Sequence, residues 1–135
     1  MIHTEIVLTG GYTEYHVLYD CVVSIAGSEG YSDAFIADLQ LSIKEAFVNA
    51  VKHGNRDQAD LTVTCSFDVA SDALIVSIRD CGKGFNPDDL PIPTTSSGQV
   101  KQSGRGVYII RSIAEIIGLA CDNDGSTLML SYIPY

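Results

Sequence analysis

Apolar positions in this chain recur with two periods, and the switches between them lay out the elements. In residues 3–8, "HTEIVL", apolar and polar residues alternate well enough for an edge strand. The glycines at 10 and 11 break it. Residues 12–27 then carry Tyr15, Leu18, Tyr19, Val22, Val23 and Ala26 at helical spacing. "GSEGYSD" is a connector, with Ser32 or Asp33 as the N-cap of a second helix. That long helix is predicted to run to about His53, with Ile36, Leu39, Ile43, Phe47 and Ala50 on one face. Gly54 is placed to stop it.

Two strand-like runs come next at 60–68 and 73–80, joined by "VASD" as a hairpin. Residues 86–103 then turn to Pro, Ser, Thr and Gly, and so long a stretch without periodicity inside a compact domain is usually functional. "GRGVYIIRSIAEIIG" reads as a glycine-led helix. "LACDND" and "STLMLSYI" close the chain as two strands around the "DG" turn at 124–125. No internal repeat interrupts this order, and one domain over 1–135 accounts for it. Helices and hairpins do not alternate strictly, which disfavours a doubly wound parallel sheet. The expected class is α+β: a two-layer α/β sandwich, with a mixed β-sheet and helices on one face.

Composition narrows the function. Hydrophobic residues make up 46% of the chain, enough for a substantial core, and no run of about 18 apolar residues exists to span a membrane. The start, Met1-Ile2-His3-Thr4-Glu5, lacks the basic opening of a signal peptide, so a cytoplasmic protein is expected. The net charge of −9 repels phosphate backbones, which argues against direct nucleic-acid binding and suits a basic protein patch. Cys21, Cys65, Cys81 and Cys121 form no C-x-x-C pair, so free thiols are expected rather than a zinc site. Cys65 and Cys121 lie in apolar runs and read as small core residues.

Three stretches are candidates for chemistry. On the long helix, Asp38, Ser42, Glu45, Asn49 and His53 fall within a sector of about 80°, roughly opposite the apolar stripe. A solvated face would look similar, but Leu41 and Val48 border the sector, and a polar strip with apolar margins suits a partly covered cleft. In "DCGKGF", residues 80–85, a strand runs into Asp80, a carboxylate able to accept from an amino group. Gly82 and Gly84 let the backbone approach a ligand closely, or simply turn. In "SGRGVYII", residues 103–110, two glycines open a helix, so free N–H groups and the positive end of the helix dipole coincide as an anion site. Arg105 and Lys101 add positive charge there, on phosphates or in solvent. There is no P-loop, no complete G-x-G-x-x-G, no G-x-S-x-G elbow and no H-E-x-x-H.

The order and spacing of these stretches carry more than each alone. Glu45-x-x-x-Asn49-x-x-x-His53, then Asp80-x-Gly82-x-Gly84, a lid-like loop, and Gly104-x-Gly106 opening a helix resemble the ATP-binding domain shared by DNA gyrase, sensor histidine kinases and mismatch-repair ATPases. Within that superfamily, "LSIKEAFVNAVKHGN" and "GRGVYIIRSIAE" look most like the small anti-sigma-factor serine/threonine kinases. The resemblance covers essentially the whole chain. It implies ATP and Mg²⁺ as cofactors, with Asn49 as the metal ligand; magnesium keeps most of its waters, so one protein ligand suffices. It further implies that Asp80 accepts from the adenine amino group and that Gly82 and Gly84 lie against the base. Residues 86–103 become the lid. Gly104, Arg105, Gly106 and Val107 hold the phosphates, Thr127 helps fix the adenine, and His53 lies near the phosphates or lid. Glu45, one helical turn from the metal ligand, becomes the general base that takes a proton from an incoming serine hydroxyl.

The same resemblance implies the partners: a sigma factor or similar target, a small anti-sigma antagonist that is phosphorylated on Ser or Thr, and a homodimer. About ten residues precede the first predicted helix, and His16 lies in no dimerisation-helix context, so histidine autophosphorylation is not expected. A different class of function stays open at this level: an ATP-dependent protein-binding module without transfer. Glu45 beside Asn49 favours the kinase.

Overall fold

The computed structural model describes residues 2–9, 11–58, 60–82 and 105–135, without the side chain of Arg105. Its elements run β1 Ile2–Thr9, α1 Tyr15–Glu29, α2 Asp33–Asn49, β2 Thr62–Val69, β3 Leu74–Asp80, α3 Arg105–Ile113, β4 Glu115–Cys121 and β5 Ser126–Tyr132. Gly30 ends α1 in the left-handed conformation, at φ 71°, where a side chain would be strained. Ser32 caps α2, its hydroxyl accepting from the Phe35 amide at 3.1 Å.

The five strands form one sheet in the order β1-β2-β3-β5-β4. Strict alternation assigns its faces. Val63, Cys65, Phe67 and Val69 of β2 and Leu74, Val76 and Ile78 of β3 point to the core, as do Leu128, Leu130 and Tyr132 of β5. They meet Leu18, Val22 and Ala26 of α1, Phe35, Leu39, Ile43 and Phe47 of α2, and Ile110 of α3. That is the expected α+β sandwich with helices on one face. No described helix is long and apolar enough to cross a membrane.

Three expectations change. The sheet is antiparallel at every described pairing rather than mixed. From β3 the chain passes through α3 and β4 before it returns as β5, so β5 enters beside β3 in the reverse direction. The last helix is shorter than its sequence suggests: it ends at Ile113, and Glu115–Cys121 becomes the edge strand β4. Ile116 and Leu119 there pair with Leu130 and Leu128 across a register shift next to Gly118, so burial against β5 overrides the helical spacing. Cys121, read as a core residue, is exposed, whereas Cys65 is buried and its thiol is pushed up to about 12 by burial.

Candidate nucleotide site at the end of the long helix

The site is assembled where α2 ends. Past Asn49 the helix widens into a π-helical turn, Ala50–Gly54, a feature that recurs at functional sites. That turn delivers Gly54 and Asn55 to the ends of β2 and β3. Asn55 is 1% exposed and bridges them: its Nδ2 donates to the Thr62 carbonyl at 3.0 Å, and its Oδ1 accepts from the Cys81 amide at 2.7 Å. Backbone is packed tightly here. A Cβ on Gly54 would overlap the Asp80 carboxylate, one on Gly82 would overlap the Gly54 carbonyl, and one on Gly125 would overlap the Asp80 carbonyl.

Asp80 ends β3 on the core side of the sheet, 7% exposed. Its Oδ1 accepts from the Gly82 amide at 2.8 Å. Burial pushes its carboxyl above the ordinary carboxylate value, while the Gly82 amide and Arg79 pull the other way. A buried acceptor with a raised pKa, next to close-packed glycine backbone, is chemically suited to take a hydrogen bond from a flat polar ring.

The register puts Ser126 directly opposite Asp80. Ser126 is buried, and its hydroxyl donates to the Gly82 carbonyl at 3.1 Å. Thr127, the residue expected to help fix the base, pairs with Arg79 instead and lies on the other face of the sheet. Its hydroxyl accepts from Arg79 at 3.2 Å, and Arg79 also holds Asp122 through two bonds of 2.9 and 3.0 Å. Side chains alternate along a strand, so neighbours in "GST" face opposite ways, and Ser126 is the one on the side of Asp80. Its signal in the sequence is the parity of β5 relative to β3, which only the pairing reveals.

The second half of the site lies between α2 and α3. A Cβ on Gly106 would sit 3.0 Å from Glu45 Oε2 and 3.3 Å from both amide atoms of Asn49. Gly106 therefore lets the first turn of α3, whose amides have no partner within the helix, approach the two polar side chains. Asn49 Nδ2 is buried without a hydrogen-bond partner among the described residues, an arrangement that costs free energy unless a ligand completes it. Val107 is buried behind Gly106. Of the polar sector read from α2, Glu45 and Asn49 are the side chains that meet Gly106 of α3. Ser42 is buried and shares a 2.6 Å bond with the Tyr132 hydroxyl, Asp38 accepts from the Tyr135 hydroxyl, and His53 is exposed on the π turn. Arg105 starts α3. Gly84, Lys101, Gly104 and the expected lid, 86–103, lie outside the described residues.

A two-layer sandwich with this cleft defines a class. Residues 13–132 match the histidine kinase-like ATPase domain, and the chain belongs to that family. Within it, the chain is 27% identical over 115 residues to the serine-protein kinase RsbW of Listeria innocua, covering 81% of this chain and 73% of that protein. It is 28% identical over 115 residues to the serine-protein kinase RsbW of Bacillus velezensis, covering 81% and 72%. A solved Mycobacterium tuberculosis chain with RsbU and RsbW domains shares the fold at a TM-score of 0.66 and 18% identity, over 99% of this chain and 33% of that one.

Proposed function

We propose that this protein is an ATP-binding anti-sigma regulatory factor and a serine/threonine protein kinase. It phosphorylates a small anti-sigma antagonist and sequesters a sigma factor or similar target. The observation that carries the reading is the pairing of Glu45 and Asn49 against Gly106, with Asn49 Nδ2 buried and without a partner among the described residues, in a chain of the ATPase family. The names of the RsbW relatives support the kinase half.

The residues fit the cofactors the family implies. Asn49 would hold Mg²⁺ through its side-chain oxygen, and that metal would neutralise charge on the phosphates. Asp80 would accept from the adenine amino group, with Ser126 rather than Thr127 fixing the same edge. Gly82 lets backbone lie against the base. The amides at the start of α3, with Gly106 and Val107, would hold the phosphates, joined by Gly104 and Arg105. Glu45 Oε2 faces the same point as Asn49, where it would take the proton from the acceptor hydroxyl while the γ-phosphoryl group moves to that oxygen.

Incubation with γ-labelled ATP, Mg²⁺ and a purified antagonist domain tests this. Label on a partner serine or threonine is the expected result. Glu45→Gln keeps the side chain's shape and removes the base. It should leave ATP affinity within about twofold and lower transfer by a factor on the order of 10² or more. Undiminished transfer in Glu45→Gln removes the base assignment. Tight ATP binding by wild type with no label on any antagonist leaves a nucleotide-dependent binding module instead.

A further inference from the structure

α2 and the π turn after it carry a stripe that the nucleotide site does not use. Ala37, Leu41, Lys44 and Val48 recur every three or four residues and so share one face of the helix, and Lys52 follows on the π turn. The core takes the opposite face, through Phe35, Leu39, Ile43, Ala46 and Phe47. The stripe therefore looks outward: Leu41 is 43% exposed, Ala37, Lys44 and Lys52 are exposed, and Val48 is half-buried. Large apolar residues on an outward helical face, spaced a heptad apart as Leu41 and Val48 are, mark a surface that packs against something.

Charge says what kind of partner fits. The chain carries a net charge of −9, yet between residues 34 and 53 its only carboxylates are Asp38 and Glu45. Asp38 is hydrogen-bonded by Tyr135, and Glu45 turns toward α3. Lys44 and Lys52 flank the apolar pair, His53 is exposed beside Lys52, and neither lysine is in an ion pair among the described residues. A basic, leucine-centred strip on an acidic protein is complementary to an acidic segment with an apolar ridge.

We infer that this outward face of α2 and its π turn, formed by Leu41, Lys44, Val48 and Lys52, is a docking surface for an acidic amphipathic helix of a partner protein. The strip borders Glu45 on the helix. Resting on the kinase reading, it is the surface that would hold the phosphate acceptor beside the base. Because the docking rests on shape and charge, it can be tested apart from transfer.

The probes are two labelled synthetic helical peptides with leucines at heptad spacing. One has glutamates flanking the leucines; its twin has lysines in their place. Binding to the full ATP-loaded chain is read by fluorescence anisotropy, and ATP affinity by a fluorescent nucleotide. The glutamate peptide should bind at least tenfold tighter than the lysine peptide, and raised salt should weaken it. Leu41→Glu should weaken it tenfold or more. Lys44→Glu with Lys52→Glu should reverse the preference between the two peptides. All variants should keep wild-type ATP affinity, which shows that they fold. Equal binding of the two peptides, binding of neither, or binding indifferent to these substitutions would overturn the inference. So would sedimentation showing that Leu41→Glu releases a dimer, because a second copy would then occupy the face. Transfer to an antagonist domain is measured in parallel. Docking without transfer removes the kinase reading and leaves the surface, whereas transfer untouched by the three substitutions does the reverse.

Discussion

Asp80 is a carboxylate that the fold withdraws from water and couples to one backbone amide. Burial raises its folded-state pKa above the unfolded value, so the folded chain holds that proton more tightly than the unfolded chain. The associated stability is fully present below the unfolded pKa and is lost as pH rises through the folded one. Ionising the side chain in the folded protein therefore costs stability. Asp80→Asn should melt at or above the wild-type temperature at pH 7, and the difference should shrink as pH falls through the raised folded-state value and be gone below the unfolded one, about 4. The same variant should lose ATP affinity by tenfold or more. Thermal melts between pH 3 and 7, with a nucleotide titration, check both parts. Asp80, Glu45 and Asn49 are legible in the sequence because residue type and spacing point to them directly. Ser126 and Asn55 are not, because one needs the strand register and the other acts only as a bridge between elements.

At the level of elements, the end of α2 is the part that builds the cleft. The π turn and the Asn55 bridge fix how the helix joins β2 and β3. Asn55→Ala removes both bonds and leaves the Cys81 amide and the Thr62 carbonyl short of a partner. It should destabilise the protein by about 2–3 kcal/mol. It should also weaken ATP binding, since Gly54 and Gly82 pack through the same junction. Urea unfolding monitored by far-UV circular dichroism gives the first number, and nucleotide titration the second. Helices α1 and α2, the hairpin of β2 and β3 and the edge strand β1 are all legible from period. Residues 115–118 read as helix in the sequence because their apolar run satisfies both periods, and pairing with β5 decides such cases.

For the whole molecule, a buried polar contact adds to the apolar packing between the helical layer and the sheet. Ser42 of α2 and Tyr132 of β5 share a 2.6 Å bond inside the core. Tyr132→Phe strands the Ser42 hydroxyl and should cost about 1–3 kcal/mol, while Ser42→Ala strands the Tyr132 hydroxyl at a similar cost. The double variant should cost clearly less than the sum, because neither buried group is then left alone. Chemical denaturation of the four proteins completes the cycle, and strict additivity would remove the contact from the account. The sequence by itself determined which segments are helix or strand over most of the chain, the two-layer class, and the Glu45–Asn49 and Asp80–Gly82 pairs. Those features depend on local periodicity and on residue chemistry. Only the tertiary structure decided the antiparallel order of the sheet, the placement of Ser126 rather than Thr127 on the Asp80 side of the sheet, and the hydrogen bonds that take Asp38 to Tyr135 and Ser42 to Tyr132. It also showed that Leu41 and Val48 look outward. Each of these depends on which element lies opposite, and that is set by long-range burial and register rather than by neighbours in the chain.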